Sequence, residues 1–219
     1  MGCGGGNELL SAWNTVGVDL SFAGLRSAKN IYRAVATADA TALPFAEATF
    51  DVISSWDVFE HVAFGYKDAV LAEWRRVLKP GGRMLHIVAA HCTAPFYRLV
   101  NREPELFQQY FVELDGHYGL ELPSQIAARF EAAGFAVERN WTFFRAGIFP
   151  PEEYVKRLGP GYAAQSRLLK AFASFGRACE RNRPLDMAMS FATGAAAHAL
   201  NPLLPSDWGS TAFIVARRD

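Results

Sequence analysis

An excess of charge of either sign is missing from this 219-residue chain, in which 22 Lys and Arg balance 22 Asp and Glu. No overall basic field draws it to nucleic acid or anionic lipid, so small, neutral or locally matched partners are favoured. Cysteine is scarce: Cys3, Cys92 and Cys179 are too few and too scattered for a disulfide framework or a Cys-rich zinc site. Long apolar runs are also lacking, and the start has neither the basic region nor the apolar core of a signal peptide. These absences predict a cytoplasmic protein with no membrane insertion. The length suits one domain, residues 1–219, with a substantial core.

What is present begins with glycine. Gly2, Gly4 and Gly6 alternate just before a helical pattern from Asn7 to Trp13. Missing side chains there let backbone N–H groups approach a ligand at a helix N-terminus. The dinucleotide fingerprint would need a seventh-position glycine where Asn7 stands, so the spacing is G-x-G-x-G. An apolar strand then ends in Asp19, and a carboxylate at that point can accept hydrogen bonds from both ribose hydroxyls.

Three further stretches follow: Asp39-Ala40-Thr41-Ala42-Leu43-Pro44-Phe45, then Phe50 to Ser55 with Glu60-His61-Val62, then Arg76-Val77-Leu78-Lys79-Pro80-Gly81-Gly82-Arg83. With the glycine loop, these four motifs resemble, in family order, the class I S-adenosylmethionine-dependent methyltransferases. The closest likeness is to the type 11, ubiquinone/menaquinone-methyltransferase-like branch. The resemblance implies an α/β, Rossmann-like, mostly parallel sheet with an antiparallel last strand. It implies S-adenosyl-L-methionine as cofactor and a small-molecule acceptor. It places the cofactor on Gly2, Cys3, Gly4 and Gly6, on Asp19 and Leu20, on Asp39 and Ala40, and on Ser55 and Trp56. In the family the carboxylate at the Asp39 position accepts from the adenine amino group, and the next residue's N–H meets the ring. Asp39 as the cap of a turn is the plainer alternative. Trp56 either offers its ring face to the sulfonium or simply packs.

The first family strand and the N-terminal cap helices have no counterpart, because Met1 stands where that strand should be ending. The chain is therefore expected to be a fragment or a late start, with its first strand largely missing and its neighbours' backbone groups unpaired. The helix after Ser21 carries Phe22, Leu25, Ala28 and Ile31 at helical spacing, and Ala34 to Ala38 reads as a strand. Phe50 to Ser55 hardly alternates, as for a central parallel strand covered on both faces. His86 lies within the strand Arg83 to Ala90, where a hydrogen-bonded core residue is expected.

Residues 94–122 are aromatic-rich and either line a substrate pocket or pack a lid. Pro123 to Gly134 is a helix ended by Gly134, and Phe135 to Phe144 is the next strand. An insertion at 145–208 carries helical runs at Glu152 to Leu158, Ala163 to Glu180 and Met187 to Leu200. It precedes a last strand from Ser210 to Arg217. At the active-site rim it would shape substrate choice. Its Arg167, Lys170, Arg177, Arg181 and Arg183 either meet an acidic substrate or form a solvated face.

Methyl transfer from a sulfonium needs orientation and exclusion of water rather than a covalent residue. A hydroxyl acceptor would profit from a base titrating near neutrality, and the expected reaction is O-methylation. Of His61, His86, His91, His117 and His198, His117 is the candidate, since many relatives carry a histidine before the penultimate helix. No histidine pair has a convincing metal-ligand spacing, and no metal is expected. A noncatalytic remnant or binding module of the same fold is the alternative function. Nucleic-acid methylation is disfavoured by the neutral charge and by Ser55-Trp56-Asp57-Val58, where amino-group DNA methyltransferases carry an N/D-P-P-Y/F tetrapeptide.

Overall fold

The computed structural model describes residues 1–162 and 164–219 and divides into two compact units. The first comprises residues 1–89, 125–141 and 213–219, and the second residues 90–124 and 142–212. The second unit therefore contains both 94–122 and 145–208, which the sequence places as separate additions to one domain.

The first unit opens with a crossover. Strand β1, Val16–Asp19, pairs in parallel with β2, Ala34–Thr37, with Asp19 opposite Thr37. Helix α1, Phe22–Ala28, joins them, and the Ser21 hydroxyl accepts the Gly24 N–H at its start. Leu25, Ala28 and Tyr32 form the buried patch beneath it.

A four-stranded sheet follows, in the order β3 (Phe50–Trp56), β4 (Leu78–Ala89), β6 (Thr211–Arg218), β5 (Phe135–Phe143). β3 and β4 are parallel, with Trp56 opposite Ile87. The Ala90 N–H donates to the Ser210 carbonyl, and the Ser210 N–H to that of Phe143. The start of β6 thus meets the ends of both neighbours, which makes it the antiparallel last strand. The α/β architecture is the expected one. Helix α2, Phe64–Val77, leads into β4, and its last carbonyls need partners. The Arg218 guanidinium supplies them, donating to the carbonyls of Arg75, Arg76 and Leu78.

Three expectations are corrected. β3 is not covered on both faces: Val52 is 53% exposed, and among the described residues β3 is the end strand of its sheet, next to β4. Among the described residues β1 and β3 form no ladder. Instead the Met1 amino group donates to the Ser54 carbonyl (2.7 Å) and the Cys3 N–H to that of Val18 (3.0 Å). The first residues of the chain thus bond to both β1 and β3. The helix expected from Asn7 to Trp13 is only a 3-10 turn, Glu8–Leu10. Leu9 and Trp13 point into solvent, so nothing packs to extend the turn.

The second unit is helical. Helices α3 (Pro95–Val100) and α4 (Pro104–Phe107) come before helix α5 (Pro123–Ala132), most of which belongs to the first unit. Four more lie in the insertion: α6 (Pro151–Arg157), α7 (Pro160–Gln165), α8 (Arg167–Glu180) and α9 (Arg183–Leu200). Proline begins several of them, where a missing N–H costs nothing and φ is already helical. Ser166 breaks the long run expected to end at Glu180, and its hydroxyl caps α8 at the Leu169 N–H. Ala163, the expected start of that run, lies outside the described residues. α9 starts four residues early because the Asn182 side chain caps the Leu185 N–H. The core is aromatic and shared between the two segments: Tyr97, Phe107 and Phe111 pack with Phe149, Tyr154, Leu158 and Tyr162. Phe107 and Phe111 stack at 5.0 Å, and Tyr97 meets Phe149 at 5.9 Å.

Candidate functional site

The first seven residues form a loop whose backbone is held from several directions. The Cys3 N–H is tied to Val18, the Gly6 N–H donates to the Cys3 carbonyl (2.8 Å), and the Asn7 N–H donates to the Tyr32 hydroxyl (2.7 Å). The Gly4 N–H donates to Asp19 Oδ2 (2.7 Å), and Asp19 Oδ1 accepts from the Ser21 N–H (2.7 Å). One carboxylate thus links the glycine loop to the start of α1. Gly4 and Gly6 have φ of 46° and 94°, which favours residues without a Cβ. The α1 helix also comes close: a Cβ on Gly24 would lie 3.0 Å from the Gly4 carbonyl carbon. Among the described residues the Gly2 and Gly5 N–H groups have no protein acceptor and are open to a ligand.

This arrangement revises the source of the loop's donors. A three-residue 3-10 turn offers no helix N-terminus for a ligand, so any ligand at this loop would have to meet the loop N–H groups themselves. Leu20, 73% exposed, follows Asp19 at the same end of β1. Asp39 does cap a turn, with Oδ1 accepting the Thr41 N–H (2.8 Å) and hydroxyl (2.7 Å). Those bonds, the hydroxyl first, hold its carboxyl below the usual range despite slight burial, and its other oxygen faces solvent beside the half-buried Ala40.

The Ser55 side chain turns inward, where its hydroxyl bonds to His86 Nδ1. His86 is enclosed by Phe59, Trp74 and Phe130. Burial, aided by the Lys67 charge, pushes its imidazole down to about 3, so it stays neutral at physiological pH and serves the core. The Trp56 ring at the end of β3 is largely exposed. Asp57 next to it has φ 50°, a left-handed conformation strained for a residue with a side chain.

Glu60, which the sequence offers only as part of the Glu60-His61-Val62 motif, stands out in the structure. Its carboxyl is fully buried just after β3, with Oε1 accepting the Ala89 N–H (2.8 Å) and Oε2 unpartnered. Burial pushes this carboxyl up to about 7, with Asp57 adding to the rise. A carboxyl changing charge near neutrality at the carboxyl end of a strand has the titration expected of a proton acceptor. The sequence signal was an acidic residue in an otherwise apolar turn.

The folded carboxyl titrates above the unfolded one, so stability is fully present below pH 4.5 and is lost as pH rises through about 7. The loss amounts to about 3 kcal/mol. Glu60→Gln keeps an acceptor for Ala89 and removes the ionisation. Thermal unfolding from pH 5 to 8 is expected to show a variant increasingly more stable than wild type as pH rises; parallel curves would refute the buried charge.

His117 lies in the second unit. Asp115 ahead of it is gripped by Lys156 (2.8 Å) and Arg157 (2.9 Å), and Gly116 turns the chain with φ 70°. The His117 N–H then donates to the Val112 carbonyl (2.8 Å), leaving the imidazole half-buried. His91 stacks edge-on against Phe107 at 5.7 Å, and burial lowers its pKa. The glycine loop, Asp19, Leu20 and the end of β3 are thus gathered in one unit, and His117 is held by the other.

A family model described as a methyltransferase domain matches residues 1–86. The ubiquinone/menaquinone biosynthesis C-methyltransferase UbiE of Cupriavidus metallidurans is 42% identical over 62 residues, 26% of this chain and 23% of that protein. The demethylmenaquinone methyltransferase of Lactococcus lactis is 36% identical over 78 residues, 33% of this chain and 26% of that protein. The chain spans about a quarter of the length of these curated relatives. The phosphoethanolamine N-methyltransferase 2 of Haemonchus contortus, solved with S-adenosyl-L-methionine, shares the fold. Its TM-score is 0.59 over 99% of this chain and 47% of that chain, at 18% identity. Residues 1–86 thus match a methyltransferase domain, and the chain shares its fold with a methyltransferase of solved structure.

Proposed function

We propose that the protein transfers a methyl group from S-adenosylmethionine to a small-molecule acceptor. The carrying observation is the glycine loop pinned to Asp19, with the Gly2 and Gly5 N–H groups left open beside it. The residues present fit the cofactor: the loop from Gly2 through Cys3 to Gly6 and the Asp19–Leu20 end of β1 would hold its amino acid and ribose parts. Asp39 and Ala40 would meet the adenine, and Ser55 would contribute backbone only. The bound cofactor supplies an electrophilic methyl group, so the chain's own work is to orient the acceptor, exclude water and take up a proton. His117 is the proposed proton acceptor, and Glu60 is a second group able to hold a proton near neutrality. An oxygen nucleophile is the primary reading. A carbon nucleophile is the second, favoured by the C-methyltransferase name of the Cupriavidus relative.

Calorimetry of the 219-residue chain with S-adenosylhomocysteine tests the cofactor site. Incubation with methyl-labelled cofactor and a panel of phenols, catechols and hydroquinones tests transfer. Labelled product from wild type and its loss in His117→Ala are the expected results, with NMR assigning the new bond to oxygen or carbon. Binding without transfer to any acceptor would favour the noncatalytic module, and absence of binding would overturn the reading.

A further inference from the structure

The second unit carries a helix whose surface its own packing does not satisfy. α9 has 18 residues and buries the side chain of Ala197 alone. Its exposed Pro184, Met187, Ala188, Phe191, Ala195 and His198 recur every three or four residues, forming one stripe along the helix. Phe191 is 80% and Met187 68% exposed, and Leu203 just beyond is 78% exposed. From Met187 to Leu200 there is no Asp, Glu, Lys or Arg. A helix this apolar on a surface is a contact site waiting for cover.

The flanking charge says what kind of cover. α8, which packs on α9, buries Leu169, Ala173, Gly176 and Cys179 and exposes Arg167, Lys170 and Arg177. Arg181 and Arg183 sit exposed where α8 passes into α9. Five basic residues stand against two acidic ones, Glu180 and Asp186, across 166–204. Among the described residues none of the five is paired with a carboxylate; Arg177 bonds only to the Ser174 hydroxyl (3.2 Å).

We propose that the α8–α9 pair docks on an anionic lipid bilayer, with the Met187–Phe191 stripe at the acyl boundary and the arginines among the headgroups. Exposed apolar and basic residues on one helix pair match that surface on both counts. A second copy of the chain would match the apolar stripe only, since it brings the same basic residues and no acidic counterpart. Among the described residues no helix is long and apolar enough to cross a membrane, and α9, about 27 Å long, lies in the interface plane. The chain's charge is balanced overall, so this attraction is local and salt-sensitive. It does not depend on the methyl-transfer reading.

Vesicle sedimentation of the 219-residue chain tests the inference. Vesicles of phosphatidylcholine with phosphatidylglycerol should bind the chain at least about tenfold more tightly than phosphatidylcholine alone, and high salt should erase the difference. Met187→Asp with Phe191→Asp, and separately Arg177→Glu with Arg181→Glu and Arg183→Glu, should each cost about tenfold or more in partitioning. All five side chains are exposed, so unchanged thermal unfolding will show that the variants remain folded. Binding to neither vesicle, equal binding to both, or a dimer by light scattering that Phe191→Asp dissociates would each overturn the proposal.

Discussion

Replacing Asp19 by alanine should weaken S-adenosylhomocysteine binding by more than about a hundredfold. The carboxylate holds the Gly4 and Ser21 N–H groups at 2.7 Å each, so its removal releases the glycine loop from the start of α1. Charge-assisted bonds of this kind contribute roughly 1.5 to 3 kcal/mol each. Two of them lost together correspond to about two orders of magnitude or more in affinity. The ribose bonds assigned to the same carboxylate would be lost as well. Asp19→Asn should fall between, because an amide offers one acceptor oxygen and turns a donor toward the second N–H. Calorimetry on the three proteins checks the series. An alanine variant binding within about threefold of wild type, a difference under 1 kcal/mol, would remove Asp19 from the site.

Excising 145–208 in favour of a short turn is expected to destroy the second unit rather than trim it. The insertion supplies Phe149, Tyr154, Leu158, Tyr162, Leu169 and Ala173 to a core whose other half comes from Tyr97, Val100, Phe107 and Phe111. Truncating one large buried side chain costs about 2 to 5 kcal/mol. Removing a whole face of the core exceeds the ~5 to 15 kcal/mol of a domain. Residues 90–124 would then expose stacked aromatic rings to water. Loss of the near-ultraviolet circular dichroism of those rings, uptake of a hydrophobic dye and aggregation are the expected readouts. A monomeric excised protein with a single sharp melting transition would show that the two segments are independent.

The four motifs were readable because each is local. Alternating glycines, an acidic residue closing a strand and the Lys79-Pro80-Gly81-Gly82 turn act through backbone geometry within a few residues. Their roles in the loop, at Asp19 and at the start of β4 follow from chain order. The antiparallel last strand came with the family resemblance. His86 was legible too, since a histidine inside an apolar strand has to be bonded within the core.

Other features needed the folded molecule. Nothing near Ser55 in sequence reveals that its hydroxyl faces a histidine 31 residues away. Nor does the sequence show that Glu60 loses its solvent and titrates near neutrality, because desolvation depends on side chains brought in from elsewhere. Periodicity located the helices of 145–208 to within a few residues but not their partner. A core shared by segments far apart in sequence leaves no local signature. The sequence by itself determined the glycine-rich loop, the carboxylate that closes β1 and the α/β class, all of which rest on short-range backbone chemistry. Only the tertiary structure decided that 94–122 and 145–208 are one body, that Ser55 faces inward and that α9 is left uncovered, because burial is a property of the packed chain.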